Sequence, residues 1–126
     1  MLKFFRSLFL LSFFAATSAL AGGQPFDQAT FDAMQKQGKP MLVETYADWC
    51  GTCKRQEPII SELLNTPALQ QITQLRVDFD QQKDVLKALK VSMQSTLIVF
   101  KGGKEVGRST GDTSKDSIAA LLKKAI

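Results

Sequence analysis

The chain has 126 residues, 44% of them hydrophobic and 22% charged, which is enough apolar material for one modest core and too much for a disordered chain. Its formal charge is +4, and no basic stripe is interleaved with aromatics, which argues against nucleic acid as a partner. Histidine is absent, so Cys-His catalysis and histidine metal ligands are excluded.

Met1 to Arg6 carries Lys3 and Arg6 and no acid, and Leu8 to Ala16 is almost wholly apolar. Ala19-Leu20-Ala21 then supplies the small-x-small pattern that signal peptidase reads. These features predict a signal peptide over residues 1–21, cleaved after Ala21. The apolar run falls short of the roughly 20 residues that span a bilayer, and no cysteine follows the cleavage site to carry a lipid. The expected product is one exported domain over residues 22–126, in the periplasm and with no membrane insertion. Lys3 and Arg6 leave with the signal, so the basic balance of the whole chain says little about the mature domain.

Gln24 to Phe26 reads as a short edge strand at most. Asp27 to Gln37 carries a weak apolar face of Ala29, Phe31, Ala33 and Met34, ended by Gly38 and Pro40, and reads as a helix. Met41 to Tyr46 is a mostly apolar strand, expected to be central and covered on both faces. Cys50 to Leu64 is a helix with Ile59, Ile60, Leu63 and Leu64 at core spacing, and Pro58 inside it predicts a kink. Thr66-Pro67 is expected to open a further short helix. Leu75 to Phe79 reads as a strand and Lys83 to Leu89 as a helix. Leu97 to Phe100 and Lys104 to Arg108 form a hairpin through Gly102-Gly103. Thr113 is expected to cap a last helix, with Asp116 at the capping-box position and Ile118, Leu121 and Leu122 facing the core. Lys115, Lys123 and Lys124 read as its solvated face. The order is that of an α/β sandwich with a mixed sheet.

The only two cysteines, Cys50 and Cys53, stand at the junction of the central strand and its helix. A bridge across so short a loop constrains an unfolded chain very little, so it is a poor structural staple. Its value lies in thiol-disulfide exchange. A zinc or copper site is the alternative, but two thiolates without histidine leave a tetrahedral site incomplete unless two chains share it.

The stretch Val43-Glu44-Thr45-Tyr46-Ala47-Asp48-Trp49-Cys50-Gly51-Thr52-Cys53-Lys54 resembles the active-site segment of thioredoxins, and the element order after it agrees to the end of the chain. Tyr-Ala-Asp-Trp-Cys resembles in particular the periplasmic C-terminal domain of the DsbD family and its small exported relatives. The resemblance implies the thioredoxin fold, a central mixed sheet flanked by helices, with the N-terminal strand short or missing. It implies a redox-active disulfide in which Cys50, at the start of its helix and the more exposed sulfur, attacks a substrate disulfide. Cys53 resolves the mixed disulfide, and Lys54 and Arg55 add positive charge nearby. Glu44 falls where the family keeps a buried acid, whose raised pKa would let it exchange a proton with Cys53. Arg76 either pairs with that acid or ends its strand in solvent. Trp49 is expected to shape the docking surface.

One departure stands out. Where thioredoxins carry a cis-proline followed by threonine, this chain reads Met93-Gln94-Ser95-Thr96. A cis bond before serine costs roughly 2.5–4 kcal/mol, so a trans bond and a reshaped loop are expected there. Ser95 and Thr96 are the candidate substrate-binding residues on that loop, with the Ser95 hydroxyl a candidate to face Cys50. The expected activity is that of an exported disulfide reductase, monomeric and without cofactor. Its expected partners are disulfide-containing periplasmic proteins or small disulfides, and a membrane electron donor of the DsbD type. A thiolate metal-delivery module and a noncatalytic adaptor on the same fold are the alternatives.

Overall fold

The computed structural model describes residues 23–126, so the expected signal peptide, residues 1–21, lies outside the described part of the chain. In order come β1 (Gln24–Pro25), α1 (Gln28–Lys36), β2 (Met41–Tyr46), α2 (Gly51–Leu64), β3 (Thr73–Asp78), α3 (Lys83–Ala88), β4 (Thr96–Lys101), β5 (Lys104–Thr110) and α4 (Lys115–Lys123). They form one sheet in the order β1-β3-β2-β4-β5. The first three of these strands run parallel, and β4 and β5 are antiparallel additions. The mixed α/β sandwich expected from the sequence is therefore present, with an N-terminal strand of two residues.

β2 sits at the centre because five of its six residues are apolar or unable to reach water. Alternation along the strand sends Met41 and Val43 to one face and Leu42 to the other. The first face packs against α1 and α3 through Phe31, Leu86, Leu75, Val77, Ile98 and Phe100. The second packs against α2 and α4 through Ile60, Leu63, Leu97, Val99, Ile118 and Leu122. Glu44, two residues beyond Leu42, is carried by the same alternation into the layer beneath α2. That placement is what makes an acid on a central strand chemically interesting.

Several elements differ from the sequence reading, β5 among them, which runs two residues past the expected Arg108 to Thr110. Residues after Thr66-Pro67 form successive turns rather than a helix, with Leu69 and Gln70 both donating to the Thr66 carbonyl. α4 is capped by Ser114, whose hydroxyl accepts from the Ser117 amide, and not by Thr113. Asp116 therefore misses the capping-box position by one residue. β3 starts two residues earlier than expected, at Thr73, because pairing with the central strand continues back to Met41.

The hairpin between β4 and β5 turns through Gly102 and Gly103, both with positive φ, as a two-residue turn requires. Gly23 is set by contact as well as by its φ of +80°: a Cβ there would come within 2.7 Å of the Gln74 side chain. The chain thus lies directly over Gln74, a residue that belongs to the site.

Candidate active site

β2 ends at Tyr46, and a tight turn through Ala47-Asp48-Trp49 delivers the chain to Cys50. Cys50 is the N-cap of α2: its amide donates to the Ala47 carbonyl at 3.0 Å, and its sulfur accepts the Cys53 amide at 3.1 Å. Helix N-termini carry unpaired amides and a partial positive charge, so this is the position at which a thiolate is held most easily. Cys53 lies one turn along and is bonded to Cys50 in a disulfide, with the two Cα atoms 5.3 Å apart.

The expected difference in exposure between the sulfurs is not found. Cys50 and Cys53 are 2% and 3% exposed, packed with Ala47 against Tyr46 and Phe79. The cap turns the Cys50 sulfur inward to meet the Cys53 amide, which hides it as well as its partner. What separates the sulfurs is their hydrogen-bonding surroundings. Cys50 meets an amide donor, while the Cys53 sulfur lies 3.8 Å from the Thr45 carbonyl, an acceptor that suits a protonated thiol.

Glu44 is completely buried. Its Oε2 accepts the Gln74 amide at 2.5 Å and lies 3.4 Å from Arg76 Nε, while its Oε1 is buried without a partner. Burial pushes its carboxyl above the ordinary range, opposed by the Arg76 charge and then by the Gln74 hydrogen bond. The register places Glu44 directly beside Arg76, which is why the pair forms. Arg76 also stacks 4.0 Å above the Tyr46 ring and keeps part of its side chain in solvent. Of the two placements considered for Arg76, the ion pair is the one adopted. Gln74 escaped the sequence reading, although it lies two residues before Arg76 on the same strand face as Glu44.

Behind the disulfide, a half-open pocket of about 160 Å³ is lined by Tyr46, Asp48, Cys53, Lys54, Glu57 and Arg76. Lys54 belongs to this pocket, whereas Arg55 turns along the helix to donate to the Thr52 hydroxyl at 3.2 Å. On the outer side Trp49 is 60% exposed; its indole donates to Asp80 at 2.8 Å, and its ring meets Phe79 edge to face.

The loop before β4 takes an unusual form. No peptide bond among the described residues is cis, and Ser95 adopts a left-handed backbone with φ of +59°. Outside glycine that conformation costs roughly 1–2 kcal/mol. The Ser95 amide donates to the Thr45 carbonyl at 2.8 Å, and its own carbonyl accepts from Gly111 and from the Gln56 amide. The Ser95 hydroxyl does not face Cys50; it donates to the Gln94 carbonyl at 2.6 Å, an acceptor the left-handed turn brings within reach. The Thr96 hydroxyl is also committed inside, to the Met93 carbonyl and the Thr110 hydroxyl. Neither hydroxyl is presented outward, the Ser95 amide and carbonyl are both bonded internally, and Ser95 and Thr96 are buried. The two expected substrate-binding residues are therefore not themselves presented to a partner; the exposed apolar side chain of this loop is Met93.

Two sulfurs already joined, in surroundings that treat them differently, make this a thiol-disulfide oxidoreductase. Comparison with known proteins specifies the class further: the thioredoxin family model matches residues 24–124, and the chain belongs to that family. Among its relatives is the thioredoxin of Chlamydia trachomatis, 40% identical over 84 residues, covering 67% of this chain and 80% of the relative. Thioredoxin-1 of Saccharomyces cerevisiae is 37% identical over 96 residues, covering 76% of this chain and 86% of its own. Among solved structures, Trxlp from Edwardsiella tarda superposes with a TM-score of 0.76 at 43% identity, covering 79% of this chain and 96% of that one.

Proposed function

We propose that this protein is an exported disulfide reductase in which Cys50 is the attacking sulfur, Cys53 the resolving one and Glu44 the proton acceptor. The observation that carries the assignment is the opposite hydrogen bonding of the two sulfurs. An amide aimed at Cys50 favours its thiolate, and a carbonyl facing Cys53 favours its thiol. In the reduced protein the Cys50 thiolate attacks one sulfur of a substrate disulfide and expels the other as a thiolate. Cys53 then gives up its proton, with the buried, unpaired Oε1 of Glu44 as acceptor through an intervening water. The Cys53 thiolate attacks the Cys50 sulfur and releases the second substrate thiolate. The substrate has gained two electrons, and the protein ends with the Cys50–Cys53 bond seen here.

Return to the dithiol needs two electrons from outside. The Tyr46-Ala47-Asp48-Trp49-Cys50 wording and the signal-like segment ending at Ala21 support a periplasmic site of action and a membrane donor of the DsbD type. The substrates on this reading are disulfides of periplasmic proteins or small disulfides. Trp49 and Met93, both exposed beside the dithiol loops, form the surface on which they dock, with Ser95 and Thr96 buried beneath it.

The deciding experiment is the Cys50–Cys53 reduction potential, measured against redox buffers with a chelator present. A value near about −270 mV supports a reductase, and one above about −180 mV overturns that direction in favour of oxidation or isomerisation. Cys50→Ser must abolish turnover, and Cys53→Ala must accumulate the mixed disulfide on Cys50; accumulation on Cys53 in the converse variant would reverse the roles.

A further inference from the structure

Gln56 is fully buried on the core side of α2, one turn beyond Cys53 and one turn before Ile60. Its amide group donates to two carbonyls distant in sequence, Ser95 at 3.2 Å and Asp112 at 2.8 Å. Its Oε1 is buried with no partner at all. A hydrocarbon side chain of similar size would fill this space without burying an unpaired oxygen. The amide is therefore not explained by packing, and what it does is tie two loops to the active-site helix.

Both loops bear on the dithiol. The Ser95 loop is anchored at its other side to the Thr45 carbonyl, the same oxygen that faces the Cys53 sulfur. Gly111, next to Asp112, donates to the Ser95 carbonyl and closes the frame. Ser95 itself has no ring to fix its backbone, and its φ of +59° is one that an L-residue leaves readily. Something else must hold residues 93–96 in the shape that meets a substrate.

We propose that Gln56 is the positioning residue of the substrate loop, its amide clamping the Ser95 and Asp112 carbonyls so that the residues just before Ser95, the exposed Met93 and the half-buried Gln94, are presented ready-made to a protein disulfide. The proposal rests on the reading of Met93 and its loop as part of the docking surface given above. Preorganisation of this kind acts on binding, since an ordered loop spares the substrate the entropy of ordering it. A small disulfide that reaches Cys50 without pairing to the loop gains little from the clamp.

The test is Gln56→Leu in the full-length protein, assayed with insulin as the protein disulfide and with an aromatic small-molecule disulfide. The expected result is that the ratio of kcat/KM between insulin and the small disulfide falls roughly three- to tenfold, through KM, as for loss of one net hydrogen bond. The reduction potential should not move. An unchanged ratio, or equal loss on both substrates through kcat, overturns the proposal. If the unaltered protein reduces neither disulfide, the oxidoreductase reading itself fails, which is a distinct outcome. Should the leucine variant not fold, hydrogen exchange of the Gln56 side-chain amide in the unaltered protein decides. Protection supports the clamp, and complete exchange within the dead time rules it out.

Discussion

The two faces of the sheet differ in what they bury. Against α1 and α3 the interior is mostly hydrocarbon, from Phe26 and Phe31 across Met41 and Val43 to Ile98 and Phe100, with Thr45 buried at the end nearest the dithiol. Against α2 and α4 it begins in the same way, with Leu42, Ile60 and Leu97, but towards the dithiol it gives way to Glu44, Gln74 and Gln56. Two of these polar groups bear cost in the folded state. Glu44 carries an unpaired oxygen and a carboxyl that burial pushes up, and Gln56 carries an unpaired carbonyl oxygen. Hydrocarbon burial on the first face and at the far end of the second offsets that cost. Stability and chemistry are thus drawn from different parts of one sheet.

The comparison is broken most sharply by Ile98→Ala, which opens a cavity on the hydrocarbon face. A loss of about 2–5 kcal/mol in denaturant unfolding is expected, with turnover per folded molecule unchanged. A matching loss of turnover would mean that the faces are not separable. Glu44→Gln acts in the opposite sense. Turnover is expected to fall roughly 10²-fold near neutral pH through slow resolution of the mixed disulfide.

The same Glu44→Gln variant should be the more stable protein at about pH 8. Because the folded carboxyl is raised above its ordinary value of 4.5, the stability it lends is present in full below that value. It is lost as pH rises through the folded value. The gain from Glu44→Gln should therefore shrink towards zero at about pH 4. A gain of about 1 kcal/mol corresponds to roughly 4–8 °C in Tm, which a thermal melt at the two pH values resolves. A larger gain at the acid end would reverse the sign and contradict the buried-acid account.

The smallest effect is expected at Ser95. Ser95→Gly relaxes the left-handed backbone and should be neutral or stabilising by up to about 1 kcal/mol. Ser95→Pro, by contrast, cannot adopt φ of +59° and removes the amide that donates to Thr45, so it should destabilise. Equal melting temperatures for the two variants would show that the loop is not held as described.

The central strand, the dithiol helix and the hairpin were legible in the sequence because each is announced locally. β2 is a run of apolar residues, α2 repeats its apolar positions at helical spacing, and Gly102-Gly103 marks the turn. The α4 cap slipped by one residue because Thr113 and Ser114 are both competent caps, and only the direction of the preceding chain selects between them. Gln56 went unnoticed although its spacing to Ile60 and Leu63 extends the apolar stripe back by a full turn. A polar residue at such a position reads as solvated until its partners, 39 and 56 residues away, are known.

By itself the sequence determined the family, the order of the elements and the identity of the reactive pair. These depend on short-range signals: hydrophobic period, turn residues and a two-cysteine spacing. Only the tertiary structure decided the surroundings of that pair. It set Glu44 between Gln74 and Arg76, hid both sulfurs equally, turned the Ser95 hydroxyl away and brought Gln56 onto two loops. Those are matters of burial and hydrogen-bond partnership across the chain, which are fixed by how the layers pack and carry no signature in the local order of residues.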